Sequence, residues 1–339
     1  MTEPSTVNIA FLGCGGIAQR HWRGIQTHAP QLQVTATIDI DPARAAEMAE
    51  QTGGQPFTSL ETALEQGDFE AVDIMLPHHI HKEPAVRAFA AGKHVLLEKP
   101  MATTLESCER ILAAAREAGT VFMVAEQSQY SPMVVAAQQL IRDGVLGEII
   151  TARALFGGRV GTGWGGNPWR YDKQITGGGI VIDGGAHSIR PLRMWLGEID
   201  EVVAVLDHPL VEMEGESLAH AIFRFRSGKY AVFEALRAGS AKAPGEHFRI
   251  TGSEGIVVIE KGRTGRALLY DREHPEGRSI LDEGERFEDA YGLELADFCR
   301  AVLHGTELAA GPEESLGELR TALAMYRSAE SRQWEKVWD

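Results

Sequence analysis

The sequence predicts an α/β protein with two domains: an N-terminal doubly wound parallel sheet, then an α/β domain with a mostly antiparallel sheet. Through residue 126, short and continuously apolar runs alternate with helical stretches, which is typical of a parallel sheet covered on both faces. Further on, apolar and polar residues alternate in runs joined by turns, as in hairpins. A chain of 339 residues is also long enough for two domains.

The first predicted domain, residues 1–126, repeats a strand–helix unit. Its strands are predicted at 7–12, 34–39, 71–77, 94–100 and 121–126. The helices between them are predicted at about 18–27, 42–51, 83–91 and 105–119.

The second predicted domain, residues 127–339, begins with a helix at 131–143. Strands follow in pairs at 217–236 and 246–260, with another strand at 266–271. A last helix is predicted at about 313–332, and the pattern leaves open which domain it packs against.

Composition excludes several classes of protein. With 33 basic and 48 acidic residues the net charge is -15, and such a chain repels a phosphate backbone, so we expect no nucleic-acid partner. The three cysteines have no C-x-x-C spacing, which is typical of reduced thiols in the cytosol. The chain shows no leader peptide and no membrane-spanning apolar run, so we expect a cytoplasmic protein without a membrane partner.

A dinucleotide-binding motif follows the first strand. Gly13, Gly15 and Ala18 match G-x-G-x-x-G/A between a strand and a helix. Gly13 permits the tight turn, and Gly15 lets the backbone approach a pyrophosphate at the helix N-terminus. Asp39 ends the second strand about 20 residues on, where a carboxylate binds the ribose hydroxyls and repels a 2′-phosphate. The pattern therefore predicts NAD rather than NADP, with turn glycines and a capping aspartate as the structural alternative.

Lys99 stands at the end of the strand 94–100. Ligands bind at the carboxyl ends of strands in an open α/β sheet, so this lysine lies where a nicotinamide would be expected. There it can donate a proton or a hydrogen bond to a carbonyl oxygen. A surface pair of Glu98 and Lys99 is the structural alternative.

Four motifs make the resemblance specific: GCGGIA, LPHHIHKE, AGKHVLLEKPM and TGGGIVIDGGAH. In order and spacing the chain resembles the glucose–fructose oxidoreductase / inositol dehydrogenase / rhizopine-catabolism (Gfo/Idh/MocA) family. The resemblance implies a Rossmann domain followed by an α/β domain with a large open sheet. It implies NAD(P)-dependent oxidation of a sugar or cyclic polyol hydroxyl, or the reverse reduction. It also implies a homodimer or homotetramer joined through that sheet, and a Lys99–Pro100 peptide bond that is often cis.

The resemblance extends to individual cofactor-side residues. Those it implies, beyond the residues argued above, are Gly16, Ile17, Pro77, His78, His81 and Glu98. Three histidines close together, at 78, 79 and 81, are also a metal pattern, but no carboxylate or cysteine nearby completes a site, so we expect no metal.

A second catalytic segment spans 176–197. It is predicted as glycines, a short apolar strand and an amphipathic helix. Asp183 and His187 are four residues apart, so they share a helix face if the helix begins near Asp183. Imidazole suits the removal of a hydroxyl proton while a hydride leaves the same carbon. The resemblance implies that Lys99, Asp183 and His187 form a catalytic trio, while a capping Asp183 and a core His187 are the structural alternatives.

Substrate-side residues are predicted at two places. Trp164, Trp169 and Arg170 lie in a glycine-rich loop, where aromatic rings and a guanidinium suit a sugar and its hydroxyls; core or interface packing is the alternative. Glu126 and Tyr130 end and follow the strand 121–126, so they could line the same cleft.

Two positions depart from the family pattern. Many members have an aspartate where Arg190 stands and an arginine where Gln129 stands. These differences put the substrate class in doubt, and they do not affect the expected redox chemistry. The sequence predicts an NAD-dependent sugar or polyol dehydrogenase. Its alternatives are a transient-redox lyase or glycosidase with tightly bound NAD, a ketoreductase of deoxysugar biosynthesis, and a non-catalytic sugar sensor.

Overall fold

The computed structural model describes residues 5–159, 168–238, 246–260, 265–282, 284, 286 and 288–338. The chain forms two compact units, the first comprising Met1–Gln127 and Tyr291–Leu316 and the second Ser128–Ala290 and Gly317–Asp339. A parallel sheet and a mostly antiparallel sheet confirm the predicted α/β class. Within the described ranges, no helix combines the length and apolar character needed to cross a membrane.

The first unit is built on a six-stranded parallel sheet. Its strands are β1 (Val7–Leu12), β2 (Leu32–Ile38), β3 (Gln55–Phe57), β4 (Ala71–Ile74), β5 (His94–Glu98) and β6 (Phe122–Ala125). Their order, β3-β2-β1-β4-β5-β6, is that of a dinucleotide-binding Rossmann sheet. The order reverses between β1 and β4, so the loops that follow these two strands flank the crevice in which such sheets bind ligands.

Helices surround this sheet. They are α1 (Gly16–His28), α2 (Pro42–Thr52), α3 (Leu60–Gln66), α4 (Lys82–Ala90), α5 (Leu105–Ala118) and, after the second unit, most of α9 (Asp289–His304). Side-chain oxygens of Asp41, Ser59 and Thr104 cap α2, α3 and α5. A Cβ added at Gly24 would lie 2.9 Å from the Cα of Gly292, so glycines allow α1 and α9 to approach closely.

The second unit carries a nine-stranded sheet. Its strands are β7 (Ile149–Arg159), β8 (Ile199–Asp207), β9 (Leu218–Phe225), β10 (Tyr230–Ala238), β11 (Glu246–Gly252), β12 (Gly255–Glu260), β13 (Arg266–Asp271), β14 (Arg278–Ser279) and β15 (Glu335–Lys336). Their order is β14-β13-β12-β11-β7-β10-β9-β8-β15. The pairing of β7 with β10 is parallel and the other pairings are antiparallel. The turn predicted at Ser227 and Gly228 joins β9 to β10, and Gly228 has φ +80°.

The helices of the second unit include the segment in which the prediction was wrong. They are α6 (Pro132–Arg142), α7 (Lys173–Thr176), a π-helical turn (Val181–Gly185), α8 (Ala186–Leu196) and α10 (Ser315–Ser331). The short strand predicted within 176–183 is absent from these described residues, because the π-turn leads directly into α8. The Glu216 carboxylate accepts the Val181 N–H at 2.9 Å, which satisfies a donor at the start of this helix.

Candidate active site

The glycine-rich loop forms an open cradle. Gly13 has φ +96°, and a Cβ there would overlap the Met75 carbonyl oxygen, so this position requires glycine. Gly15 precedes α1, and a Cβ at Gly15 or Gly16 would meet nothing within 4 Å. Open space before a helix N-terminus, together with the helix's first N–H groups, fits the pyrophosphate of a dinucleotide.

Asp39 lies at the side of this cradle. Its Oδ2 accepts the N–H of Cys14 at 2.9 Å, and its Oδ1 accepts the N–H of Asp41 at 2.9 Å. The carboxylate is thus fixed against the glycine-rich loop. The next residue, Ile40, is 93% exposed and offers no positive charge to a 2′-phosphate. The donors and acceptors present therefore fit NAD.

The loop after β4 carries the three histidines. Pro77 precedes a 3-10 helix (His78–Ile80), His78 is buried, and His81 is fully buried. The His81 ring lies between two carbonyl oxygens, with Nε2 2.7 Å from Leu76 O and Nδ1 2.9 Å from Pro100 O. It therefore links the loops that follow β4 and β5. His81 also occupies the N-cap position of α4, where its side chain makes no capping hydrogen bond. No group of three His, Cys, Asp or Glu side chains among the described residues is arranged to hold a metal ion.

Lys99 follows β5 and is half-buried, and its peptide bond to Pro100 is cis. Glu98 is 7% exposed, and its Oε1 lies 3.2 Å from Nε2 of His21. The surface-pair alternative was therefore wrong, because the glutamate is turned into the protein.

A buried cluster of ionisable groups lies in the first unit beside Glu98. It consists of His21, Asp73, Glu98 and Glu294. Sequence reasoning missed three of them, although a charged Asp73 inside the apolar run AVDIMLP was a usable signal. Burial raises the pKa of Glu294 well above its ordinary value; the neighbouring carboxylates add to this shift and His21 opposes it. Folding therefore favours the neutral acid at this position.

Replacing Glu294 with glutamine should change how stability depends on pH. Where the unfolded chain has lost the Glu294 proton and the folded protein keeps it, stability falls as pH rises, by about 1.4 kcal/mol per pH unit. This window starts at the ordinary glutamate pKa and ends at the raised folded value. Glu294→Gln has no proton to retain, so its stability relative to wild type should rise with pH. Urea unfolding at several pH values above about 5 measures the difference. A difference that stays constant with pH would contradict a buried neutral acid.

In the second unit, Asp183 lies inside the π-turn and is paired with Arg170. The Arg170 Nη1 donates to both carboxylate oxygens, at 2.9 and 3.0 Å, and the Asp183 side chain is 1% exposed. The helix begins before Asp183, so the capping alternative was wrong. The Arg170 guanidinium also lies 4.6 Å from the centre of the Trp169 ring. Trp169, Arg170 and Asp183, all predicted from the sequence, therefore form one contact group.

Arg237, on β10, belongs to the same group and was missed. It is 3% exposed; burial lowers its pKa to about 10, and the nearby Asp183 carboxylate opposes that shift. The alternation of β10 gave a signal for it. Arg237 lies an even number of residues from Ala231, Phe233 and Ala235, so it faces the same buried side of the strand.

His187 lies in the first turn of α8 and is half-buried. Its ring centre is 6.1 Å from that of Phe156 on β7. A Cβ at Gly184 would overlap the Phe156 ring, so glycine in the π-turn lets Phe156 pack beside His187. Π-turns within helices are frequent at functional sites.

The remaining predicted residues differ in how much the structure says of them. Glu126 in the first unit and Tyr130 in the second are both buried, and Trp164 lies outside the described residues.

The two departures from the family pattern contact each other, because Arg190 Nη1 donates to Gln129 Oε1 at 3.3 Å. Arg190 also binds both carboxylate oxygens of Glu318 on α10, at 2.9 and 2.7 Å, and is 3% exposed. These contacts place Arg190 in a buried ion pair.

Comparison with protein families agrees with both units. Residues 7–126 match an oxidoreductase family described by its NAD-binding Rossmann fold, and residues 138–337 match the C-terminal alpha/beta domain of the same family. The chain belongs to the Gfo/Idh/MocA oxidoreductase family. It is therefore an NAD-binding oxidoreductase.

Individual relatives span nearly the whole chain. The dTDP-3,4-didehydro-2,6-dideoxy-alpha-D-glucose 3-reductase of Actinomadura kijaniata is 30% identical, over 93% of this chain and 94% of its own. The scyllo-inositol 2-dehydrogenase (NAD(+)) of Bacillus subtilis is 27% identical, over 88% of this chain and 87% of its own. A solved structure of levoglucosan dehydrogenase, in complex with NADH and L-sorbose, superposes with a TM-score of 0.86 at 23% identity, covering 99% and 100% of the two chains. That likeness shows the fold.

Proposed function

We propose that the protein is an NAD-dependent dehydrogenase that transfers a hydride between nicotinamide and a secondary alcohol carbon of a sugar or cyclic polyol. The observation that carries this proposal is a cradle that fits NAD, with a half-buried lysine directly after β5 at the carboxyl edge of the same sheet. The activities of the two relatives, a sugar 3-reductase and an inositol dehydrogenase, support the substrate class.

The cofactor is held by this chain's own groups. Gly13, Gly15, Gly16, Ile17 and Ala18 would hold the pyrophosphate, and Asp39 the ribose hydroxyls. Pro77, His78, His81 and Glu98 are proposed for the nicotinamide side. When bound, NAD supplies the acceptor for a hydride.

The chemical step assigns one role to each member of the trio. His187 takes the hydroxyl proton while the C–H bond breaks, its electron pair leaves as hydride and the C=O bond forms. Lys99 donates a hydrogen bond to the same oxygen, which stabilises the charge developing there. Asp183, bound by Arg170, orients the substrate hydroxyls together with Trp169, Glu126 and Tyr130. The same groups can catalyse the reverse reduction.

Steady-state assays separate this function from its alternatives. Purified protein, NAD and a panel of inositols, pyranoses and glycosides should give net NADH with one substrate class. A ketoreductase would consume reduced cofactor with keto-sugars but give no net NADH with the alcohols. A transient-redox lyase or glycosidase would convert its substrate without net NADH. A sensor would bind NAD or sugar and convert neither.

Replacing Asp39 with asparagine should reduce the preference for NAD. An amide oxygen can still accept the Cys14 N–H, so the loop should remain in place, while the charge that repels a 2′-phosphate is lost. We expect the ratio of kcat/KM for NAD to that for NADP to fall by at least about tenfold, a loss of about 1.4 kcal/mol in discrimination. An unchanged ratio would remove Asp39 from cofactor selection. Asp41→Asn, a neighbour that caps α2, is the matched control.

We also propose a homodimer or homotetramer formed through the open face of the nine-stranded sheet. On β9 and β10 the buried residues alternate with exposed ones, and Ile222 and Val232 are 43% and 45% exposed. They are register partners, and Val205 on β8, 67% exposed, lies on the open side of the same sheet. Exposed apolar patches of this kind mark interfaces. The variant Ile222→Glu/Val232→Glu should elute as a monomer; elution at the size of wild-type protein would contradict the proposed face.

The proposed compartment is the cytoplasm. Cys14, Cys108 and Cys299 are buried and are not joined in disulfide bonds, which is typical of a reducing compartment.

A further inference from the structure

A chain of buried polar contacts leads from the interior of the first unit to Lys99. Nδ1 of His21 lies 2.7 Å from Oδ2 of Asp73, and its Nε2 lies 3.2 Å from Oε1 of Glu98. The other oxygen of Glu98 accepts the backbone N–H of Lys99 at 3.1 Å. Three elements contribute: α1 provides His21, β4 provides Asp73 and β5 provides Glu98.

These groups are buried. His21 and Asp73 are each 0% exposed. Burial alone would lower the pKa of His21, but the charge and hydrogen bond of Asp73, together with the nearby Glu98 carboxylate, outweigh it and raise the pKa well above the ordinary value. Folding therefore favours the protonated imidazole, which lies between the side chains of Asp73 and Glu98.

A buried ion pair such as that of His21 and Asp73 contributes little to the net free energy of folding. Removing charges from water costs several kcal/mol per ion, and well-packed apolar residues of similar volume often stabilise a protein as well or better. Some buried ion pairs instead fix one geometry, and the group that His21 contacts here is the Glu98 side chain at the carboxyl end of β5.

The main chain at Lys99 is held from both sides. The Lys99 N–H is shared between Glu98 Oε2, at 3.1 Å, and the carbonyl oxygen of Ala125 on β6, at 3.2 Å. On the other side, Nδ1 of His81 lies 2.9 Å from the carbonyl oxygen of Pro100. His21 therefore contacts the Lys99 turn through Glu98, and His81 contacts it through Pro100.

We propose that His21 and Asp73 are positioning residues, which fix the Glu98 carboxylate and through it the main chain that carries Lys99. This inference rests on the proposed role of Lys99 in hydride transfer. A misplacement of about 1 Å at a reacting group can cost about 10²-fold in rate, so a contact two residues removed from the chemistry can have a large effect.

A double-mutant cycle tests the inference. The variants are His21→Gln, Glu98→Gln and their combination, and each is assayed for kcat, for the Kd of NAD with the apoprotein, and for the free energy of unfolding. We expect each single change to lower kcat by roughly 10–100-fold and to raise the Kd for NAD. Because His21 acts through Glu98, the combined variant should lose no more than the worse single variant.

His94→Gln is the matched control. His94 begins the same strand, at its opposite end, and its Nδ1 accepts the Val121 N–H at 2.9 Å. We expect this change to lower the free energy of unfolding and to leave kcat and the Kd for NAD at wild-type values. Should His21→Gln not fold, Asp73→Asn keeps an acceptor for Nδ1 and removes one charge. It should lower kcat and raise the Kd for NAD in the same way, to a smaller extent.

The outcomes separate a failure of the positioning role of His21 and Asp73 from a failure of the proposed role of Lys99. If His21→Gln or its substitute Asp73→Asn behaves like the control, or if the losses in the combined variant multiply, the residues do not act through Glu98 and the inference is overturned. Lys99→Ala is assayed alongside. Full turnover in Lys99→Ala would refute the proposed role of the lysine; lost turnover in Lys99→Ala with full turnover in the His21 variants would refute the inference alone.

Discussion

Lys99→Ala should lower kcat by roughly 10²–10⁴-fold, the contribution expected of a general acid–base group. The lysine follows β5 directly, at the edge where a Rossmann sheet binds its ligand, so we expect its ammonium to face the nicotinamide. The Kd for NAD, measured by calorimetry, should change little, because the glycine-rich loop and Asp39 are the groups proposed to hold the pyrophosphate and the ribose.

Two further variants make the Lys99 result specific. Lys99→Met keeps the length of the side chain and should be as inactive as Lys99→Ala, because the ammonium is what the reaction needs. Lys93→Met is the control: Lys93 precedes β5, and its Nζ donates to the Phe69 carbonyl oxygen at 2.7 Å, away from the carboxyl edge. Wild-type kcat in Lys99→Met would show that the charge at this position takes no part in the reaction.

His187→Ala should lower kcat by a similar factor, roughly 10²–10⁴-fold, because the hydroxyl proton then has no base positioned to take it. Binding of NAD should again persist. His187→Gln retains a side chain that can form hydrogen bonds but cannot take up a proton, so it should be as slow as the alanine variant.

A second histidine of the same unit serves as the control. The Nδ1 of His208 lies 3.1 Å from the Gly215 carbonyl oxygen, and His208→Ala should keep its turnover. If His187→Gln retained most of the wild-type rate, proton removal would have to be assigned to another group.

The parallel sheet could be predicted in detail because local and tertiary preferences agree there. The predicted strands at 7–12 and 94–100 correspond to β1 and β5, and the glycines and Asp39 lie together as the motif requires. The short edge strand β3 was not predicted, because Gln55–Phe57 includes a proline and is too short to show an alternating pattern.

The segment around Asp183 was predicted wrongly for a physical reason. Ile180, Val181 and Ile182 are β-branched, and a short apolar run of this kind fits a buried strand as well as a buried helix. Tertiary contacts decide for the helix: a Cβ at Gly178 would overlap the Tyr326 hydroxyl, and Glu216 accepts the Val181 N–H. Neither partner is near in sequence, so no local pattern reveals them.

The ionisable groups beside the predicted residues also have partners that are distant in sequence. His21 meets Asp73 across 52 residues, and Arg190 meets Glu318 across 128. In the sequence, Asp73 and Arg237 are charged residues at strand positions that are expected to be buried. The sequence could not show which group each one faces.

Transfer of deuterium tests hydride transfer most directly. The sugar or polyol that gives NADH in the panel would be prepared with deuterium at its carbon-bound positions and mixed with protein and NAD, and the NADH would be analysed by mass spectrometry. We expect one deuterium at C4 of the nicotinamide for each molecule of ketone formed, and a rate of transfer lowered in both Lys99→Ala and His187→Ala by the same factor as kcat. Product that forms without deuterium ever reaching the nicotinamide would contradict hydride transfer.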